Sequence, residues 1–151
     1  MTELREFLGK IDALTVQLFD RQKEIEATWH CIDHQGHEIV LLHPMSLGKD
    51  FAMRVMKHFI ADKKIVIAAF ICEAWCSTEV KALDSDGLEG KLGTTEALVY
   101  IIEDGTSTLL ASRAIRRTNG VPRLGKLVVH DATGATAEGR MVNFMPRRAL
   151  Q

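Results

Sequence analysis

Apolar residues recur at spacings of three and four near the start of the chain: Leu4, Phe7, Ile11, Leu14 and Leu18. That period predicts an amphipathic helix over residues 1–19. Leu8 and Phe19 widen the stripe beyond a coiled-coil seam, which fits a helix lying on a sheet or on a partner. Thr2 can cap the helix, Glu3 and Glu6 suit its positive end, and the polar run 20–24 closes it. Next, 28–32 and 37–42 read as a hairpin about Asp33-His34-Gln35-Gly36, with Pro44 breaking its second strand. Phe51, Val55, Met56, Phe59 and Ile60 mark a second helix, followed by the basic residues Lys63 and Lys64.

Residues 65–76, IVIAAFICEAWC, form the most apolar run. Its β-branched content predicts a strand, and apolarity on both faces predicts a central strand covered on both sides. A long glycine-containing loop is expected over 77–95. Residues 96–102 and 106–115 then make a hairpin with Asp104-Gly105 at its tip, a dipeptide suited to a type I′ turn. A loop over 116–123 and a short strand over 126–130 complete the order, and 140–144 is a candidate for one further strand. The order α-β-β-α-β-β-β-β predicts an α+β fold, mainly an antiparallel sheet with two helices packed on it. One domain is expected over 1–151: the helix 1–19, a body over 20–145 and a tail over 146–151.

Composition changes this picture little. Of 151 residues, 46% are hydrophobic and 26% charged, ordinary values for a globular protein. Three cysteines are too few for a disulfide scaffold and suit reduced thiols. No apolar run approaches a membrane span and the start lacks the apolar core of a signal peptide, so a cytoplasmic protein with no membrane partner is expected.

Charge is more informative. Of nineteen basic and twenty acidic residues, eight and two fall within 113–148, so that segment is basic and the remainder acidic. Arg113, Arg116, Arg117 and Arg123 form a candidate anion surface, for nucleic acid or another polyanion. The same asymmetry suits self-complementary pairing between copies, and no nucleic-acid motif or stacking aromatic interleaves the arginines. Self-association is therefore the favoured expectation, a dimer first, with nucleic acid second.

Glu73 is the notable single residue, a carboxylate on the central strand sharing a face with Ile67, Ala69, Ile71 and Trp75. Such a group must be hydrogen-bonded, paired or protonated. It could act as a general base with His30, His37 or Arg113 beside it, or simply meet water or an arginine at the strand end. His30, His34, His37 and His43 cluster on the first hairpin, and the first three are candidate metal ligands; their spacing matches no zinc motif, so no metal is expected. The glycines of 87–95 do not have phosphate-loop spacing, and 84–87 lacks the other ligands of a calcium loop, so no cofactor is expected either.

Phe70-Ile71-Cys72-Glu73-Ala74-Trp75, preceded by Trp29-His30 and followed by paired strands, resembles a scattered group of small bacterial proteins with no activity attached. The likeness spans about residues 18–125. It implies a self-contained α+β domain and transfers no catalytic residue.

Two functional readings follow. One is an interaction module that self-associates or binds a protein through the helix face Leu4, Phe7, Ile11, Leu14 and Leu18, or through a sheet edge. The other is a small hydrolase with a site around Glu73 and the 77–95 loop.

Overall fold

A computed structural model describes residues 2–77 and 94–130. Their elements run α1 (Thr2–Gln22), β1 (Thr28–Asp33), β2 (Glu38–Leu42), α2 (Lys49–Asp62), β3 (Ile65–Ser77), β4 (Thr94–Glu103), β5 (Thr108–Thr118) and β6 (Val121–His130), with a 3-10 turn at Met45–Leu47 before α2. The strands form one sheet in the order β2-β1-β3-β4-β5-β6, and every neighbouring pair is antiparallel. The fold is α+β, as the periodicity predicts.

β3 lies between β1 and β4 because both its faces are apolar. Ala69 and Ile71 join Leu98, Tyr100 and Ile102 of β4, and Leu109, Ala111 and Ile115 of β5, under the α1 side chains Leu4, Phe7, Leu8, Ile11 and Phe19. Ala68 and Phe70 face the other way and pack with Trp29, Cys31 and Ile101 beneath Met53, Met56 and Ile60 of α2. Each helix thus covers one side of the sheet, and burying a large apolar side chain contributes about 1.5–3 kcal/mol. α1 runs beyond the expected end: Lys23 takes a left-handed conformation (φ 64°) and its N–H donates to Phe19 O at 2.7 Å, closing the last turn.

Two turns differ from expectation. The segment 116–123 is not a loop, because β5 and β6 continue through it and turn at Asn119-Gly120, whose φ values of 54° and 80° are the type I′ pair. Pro122 is tolerated there because β6 is an edge strand. At Asp104-Gly105 only Gly105 is left-handed. That turn is a wider loop held by Asp104 Oδ1, which accepts from the backbone N–H groups of Thr106 and Ser107.

Of the loop expected over 77–95, Ser77 pairs with Thr94 at the ends of β3 and β4. Residues 78–93, the expected strand at 140–144 and the tail 146–151 lie outside the described residues.

Candidate functional site

Glu73 lies opposite Leu98 on the α1 side of the sheet. Its Oε2 accepts the backbone N–H of Ile25 at 2.6 Å, tying the α1–β1 link to the central strand. Arg117 projects towards the same region, and its guanidinium is held by Glu96: Nε donates to Oε2 at 3.1 Å and Nη2 to Oε1 at 2.7 Å. That hydrogen-bonded pairing holds the Glu96 carboxyl below its ordinary range. Among the described residues no histidine hydrogen-bonds to Glu73. Trp75 shares this face but stands 73% exposed, whereas Trp29 is fully buried.

The histidines go to different places. His30 is half-buried on β1, and burial lowers its proton affinity against the opposing pull of Glu38. His34 is exposed in the turn. The exposed His37 places Nδ1 3.1 Å from Asp33 Oδ2, while Asp33 Oδ1 accepts the backbone N–H groups of Gln35 and His37 and so builds the turn. His43 is buried in the α2-side core, where its Nδ1 accepts the indole N–H of Trp29 at 2.9 Å. The bond requires the neutral ring with its proton on Nε2, and burial pushes its pKa down accordingly. Phe70 packs against both rings, at centroid separations of 4.8 Å and 5.2 Å. Among the described residues no group of three or more His, Cys, Asp or Glu side chains could hold a metal ion. Cys31 is buried, with its thiol pushed up to about 12, and so is not a thiolate near neutral pH.

Arg113 belongs to a network that periodicity did not foretell. Its Nε and Nη2 donate to Asp12 Oδ1 and Oδ2 at 2.8 Å and 2.7 Å, and its Nη1 donates to Gly125 O at 2.7 Å. Tyr100 donates to Asp12 Oδ1 at 2.5 Å. Burial favours protonated Asp12, but the Arg113 and Tyr100 hydrogen bonds outweigh it and lower its pKa. Burial and the Asp12 carboxylate both raise Tyr100. The visible signals were Asp12 inside an apolar helix stripe and Arg113 between Ala111 and Ile115 on an alternating strand. Of the other arginines, Arg117 is paired with Glu96, while the exposed Arg116 and Arg123 sit directly opposite each other on β5 and β6.

The candidate helix face divides. Leu4, Phe7 and Ile11 are consumed by the chain's own core, whereas Leu14 and Leu18 stay exposed. Leu14 continues onto β2, one of the two sheet edges. There Val40 and Leu42 are each 60% exposed. A shallow crevice of about 50 Å³, lined by Phe7, Leu14, His30 and Val40, separates helix from strand, and the Lys10–Glu38 ion pair spans it.

The backbone phase of β2 follows from its end bonds. His43 N–H donates to Ala27 O, and Asp33 N–H donates to His37 O. With Ile39 opposite Cys31 and Leu41 opposite Trp29, the odd-numbered residues bond to β1. In an antiparallel ladder the alternate residues turn their N–H and C=O groups the other way. Glu38, Val40 and Leu42 therefore present theirs at the β2 edge of the described sheet.

Comparison of the chain with protein-family models, curated proteins and solved structures finds no match.

Proposed function

We propose that this protein is a small interaction module that pairs with a second copy of itself along β2, extending the sheet across a two-fold axis. The observation that carries this reading is the coincidence on β2 of outward backbone groups and exposed apolar side chains at Val40 and Leu42. Antiparallel pairing centred on Val40 sets that residue against its own copy and Glu38 against Leu42 of the second copy. Each of these residues then exchanges backbone hydrogen bonds, and Val40, Leu42 and Leu14 meet on one face.

Magnitudes favour a contribution from both terms. Backbone bonds yield about 1 kcal/mol each net of water, against roughly 4–15 kcal/mol lost in association. Burying the apolar row on both copies supplies the remainder. The other edge, β6, is unsuited to such pairing: Pro122, Arg123, Lys126 and the register shift opposite Arg113–Ile115 blunt it. The Glu73 bond to Ile25 N–H supports the same reading, since that carboxylate serves as a structural tie.

Val40→Lys tests it. At the two-fold the substitution places two ammonium groups face to face, so one change acts twice. Light scattering at micromolar concentration is expected to give a dimer for the native chain and a monomer with unchanged far-ultraviolet circular dichroism for the variant. A native chain that stays monomeric up to high concentration contradicts the proposal.

A further inference from the structure

At the β6 edge of the described sheet the two faces carry different chemistry. Leu124 and Leu127 pack towards α1, and Pro122 lies opposite Arg117, whose partner Glu96 is on that side too. By strand alternation Arg116 and Arg123, directly opposite each other, project from the other side of the sheet. Lys126 joins them. Gly125 and Lys126 form a bulge between two leucines that both face α1, and Gly125 lies against Ala114, so the lysine is turned away from α1. All three cations are exposed.

These charges are uncompensated. Residues 108–130 contain five lysines and arginines and no carboxylate. Arg113 and Arg117 are neutralised by Asp12 and Glu96 on the α1 side, whereas Arg116, Arg123 and Lys126 make no ion pair among the described residues. Glu103, the carboxylate of β4 that shares their side, lies opposite Thr108 at the other end of β5. That is roughly 25 Å from Arg116 along the strand, well beyond a Debye length of about 8 Å. Like charges opposed on neighbouring strands repel, and an anion bridging the arginines relieves that repulsion.

The neighbouring residues select the kind of anion. Arg123 and Lys126 are spaced about 10 Å apart along β6, which suits a row of anionic groups better than one small ion. Single-stranded nucleic acid is held largely by aromatic stacking on its bases, and 108–130 contains no Phe, Tyr or Trp. A duplex instead presents a backbone charge about every 1.7 Å of its axis. Pro122 and the bulge tell against an acidic peptide added as a further strand. We propose that this side of the β5–β6 end grips the phosphate backbone of a nucleic-acid duplex without reading its sequence. The planar guanidinium forks of Arg116 and Arg123 take phosphate oxygens, and Lys126 adds a point charge. The surface shares no residue with the pairing along β2.

The test is fluorescence anisotropy of a short labelled DNA duplex, titrated with the native chain over a series of potassium chloride concentrations. Binding at low salt is expected, with log K falling against log salt at a slope of about −3, roughly 0.9 for each phosphate neutralised. Arg116→Gln, Arg123→Gln and Lys126→Gln are each expected to reduce that slope by about one. The triple variant is expected to weaken low-salt binding at least tenfold, and Arg5→Gln, at an exposed position on α1, to change neither quantity. A duplex of scrambled sequence is expected to bind equally and the corresponding single strand more weakly. Nitrogen-15 spectra of the native chain are expected to shift at the amides of Arg116, Arg123 and Lys126, which locates the contact without any variant. Absent binding at low salt, a salt-independent affinity, a slope that the three substitutions leave unchanged, or shifts confined to other residues would overturn the proposal. So would tighter binding of the single strand, or of a glutamate-rich peptide, than of the duplex.

Discussion

Trp29 and His43 illustrate what a buried donor demands. The indole N–H lies in an apolar core, and the neutral imidazole is its acceptor. His43→Phe keeps a ring of similar bulk but leaves that N–H without this partner, at a cost of about 1–3 kcal/mol in urea unfolding. The pH dependence has a definite sign. Burial lowers the folded pKa of His43 and of His30 below the ordinary 6.5, so the unfolded chain binds more protons as pH falls through that value. Their contribution is complete above the ordinary value and declines below it. Unfolding measured between pH 7.5 and 5 is expected to lose stability on acidification, with a smaller loss in His43→Phe. Asp12 titrates with the carboxylates: its folded pKa is lowered, so its contribution is lost only as pH falls further, through that lowered value. Asp12→Ala leaves Arg113 partly buried without its counter-charge, and is expected to cost about 3 kcal/mol in the same assay.

At the scale of elements, the strongly periodic segments were legible. Apolar positions at helical spacing marked α1 and α2, and the unbroken apolar run marked β3 as central. Where local chemistry competes with pattern, the reading slipped. Arg116, Arg117, Asn119 and Pro122 resemble a solvated loop, yet an edge strand accepts charge and proline, so the hairpin extends to Asn119-Gly120. Gly120 has φ 80°, so Gly120→Ala is expected to destabilise the hairpin by roughly 1 kcal/mol in urea unfolding. The partners of Glu73 were legible only as alternatives, because Ile25 lies far off in sequence and offers its backbone. The histidines looked clustered along the chain, but His43 passes to the α2-side core while His30 stays on the α1 side. Strand phase, set by the hydrogen bonds at both ends of β2, is likewise not written in any local pattern.

At the scale of the whole molecule, the described sheet has two unlike edges. β6 carries Arg123 and Lys126 with a break in register, and Arg116 lies across from Arg123. β2 is short, apolar on its exposed face, and flanked by Leu14. No described helix is long and apolar enough to cross a membrane. Among the described residues the basic segment contributes two pairs within the chain, Asp12 with Arg113 and Glu96 with Arg117, while Arg116 and Arg123 stand opposite each other near the β5–β6 turn. The proposed pairing joins the apolar edges and leaves the basic ends outward, where like charges do not oppose assembly.

Hydrogen–deuterium exchange of the β2 amides across a dilution series tests this account most directly. The amides of Glu38, Val40 and Leu42 face outward, so pairing between copies protects them and dilution releases them, while those of Ile39 and Leu41 stay protected by β1 throughout. Rapid, concentration-independent exchange at Glu38, Val40 and Leu42 would contradict it.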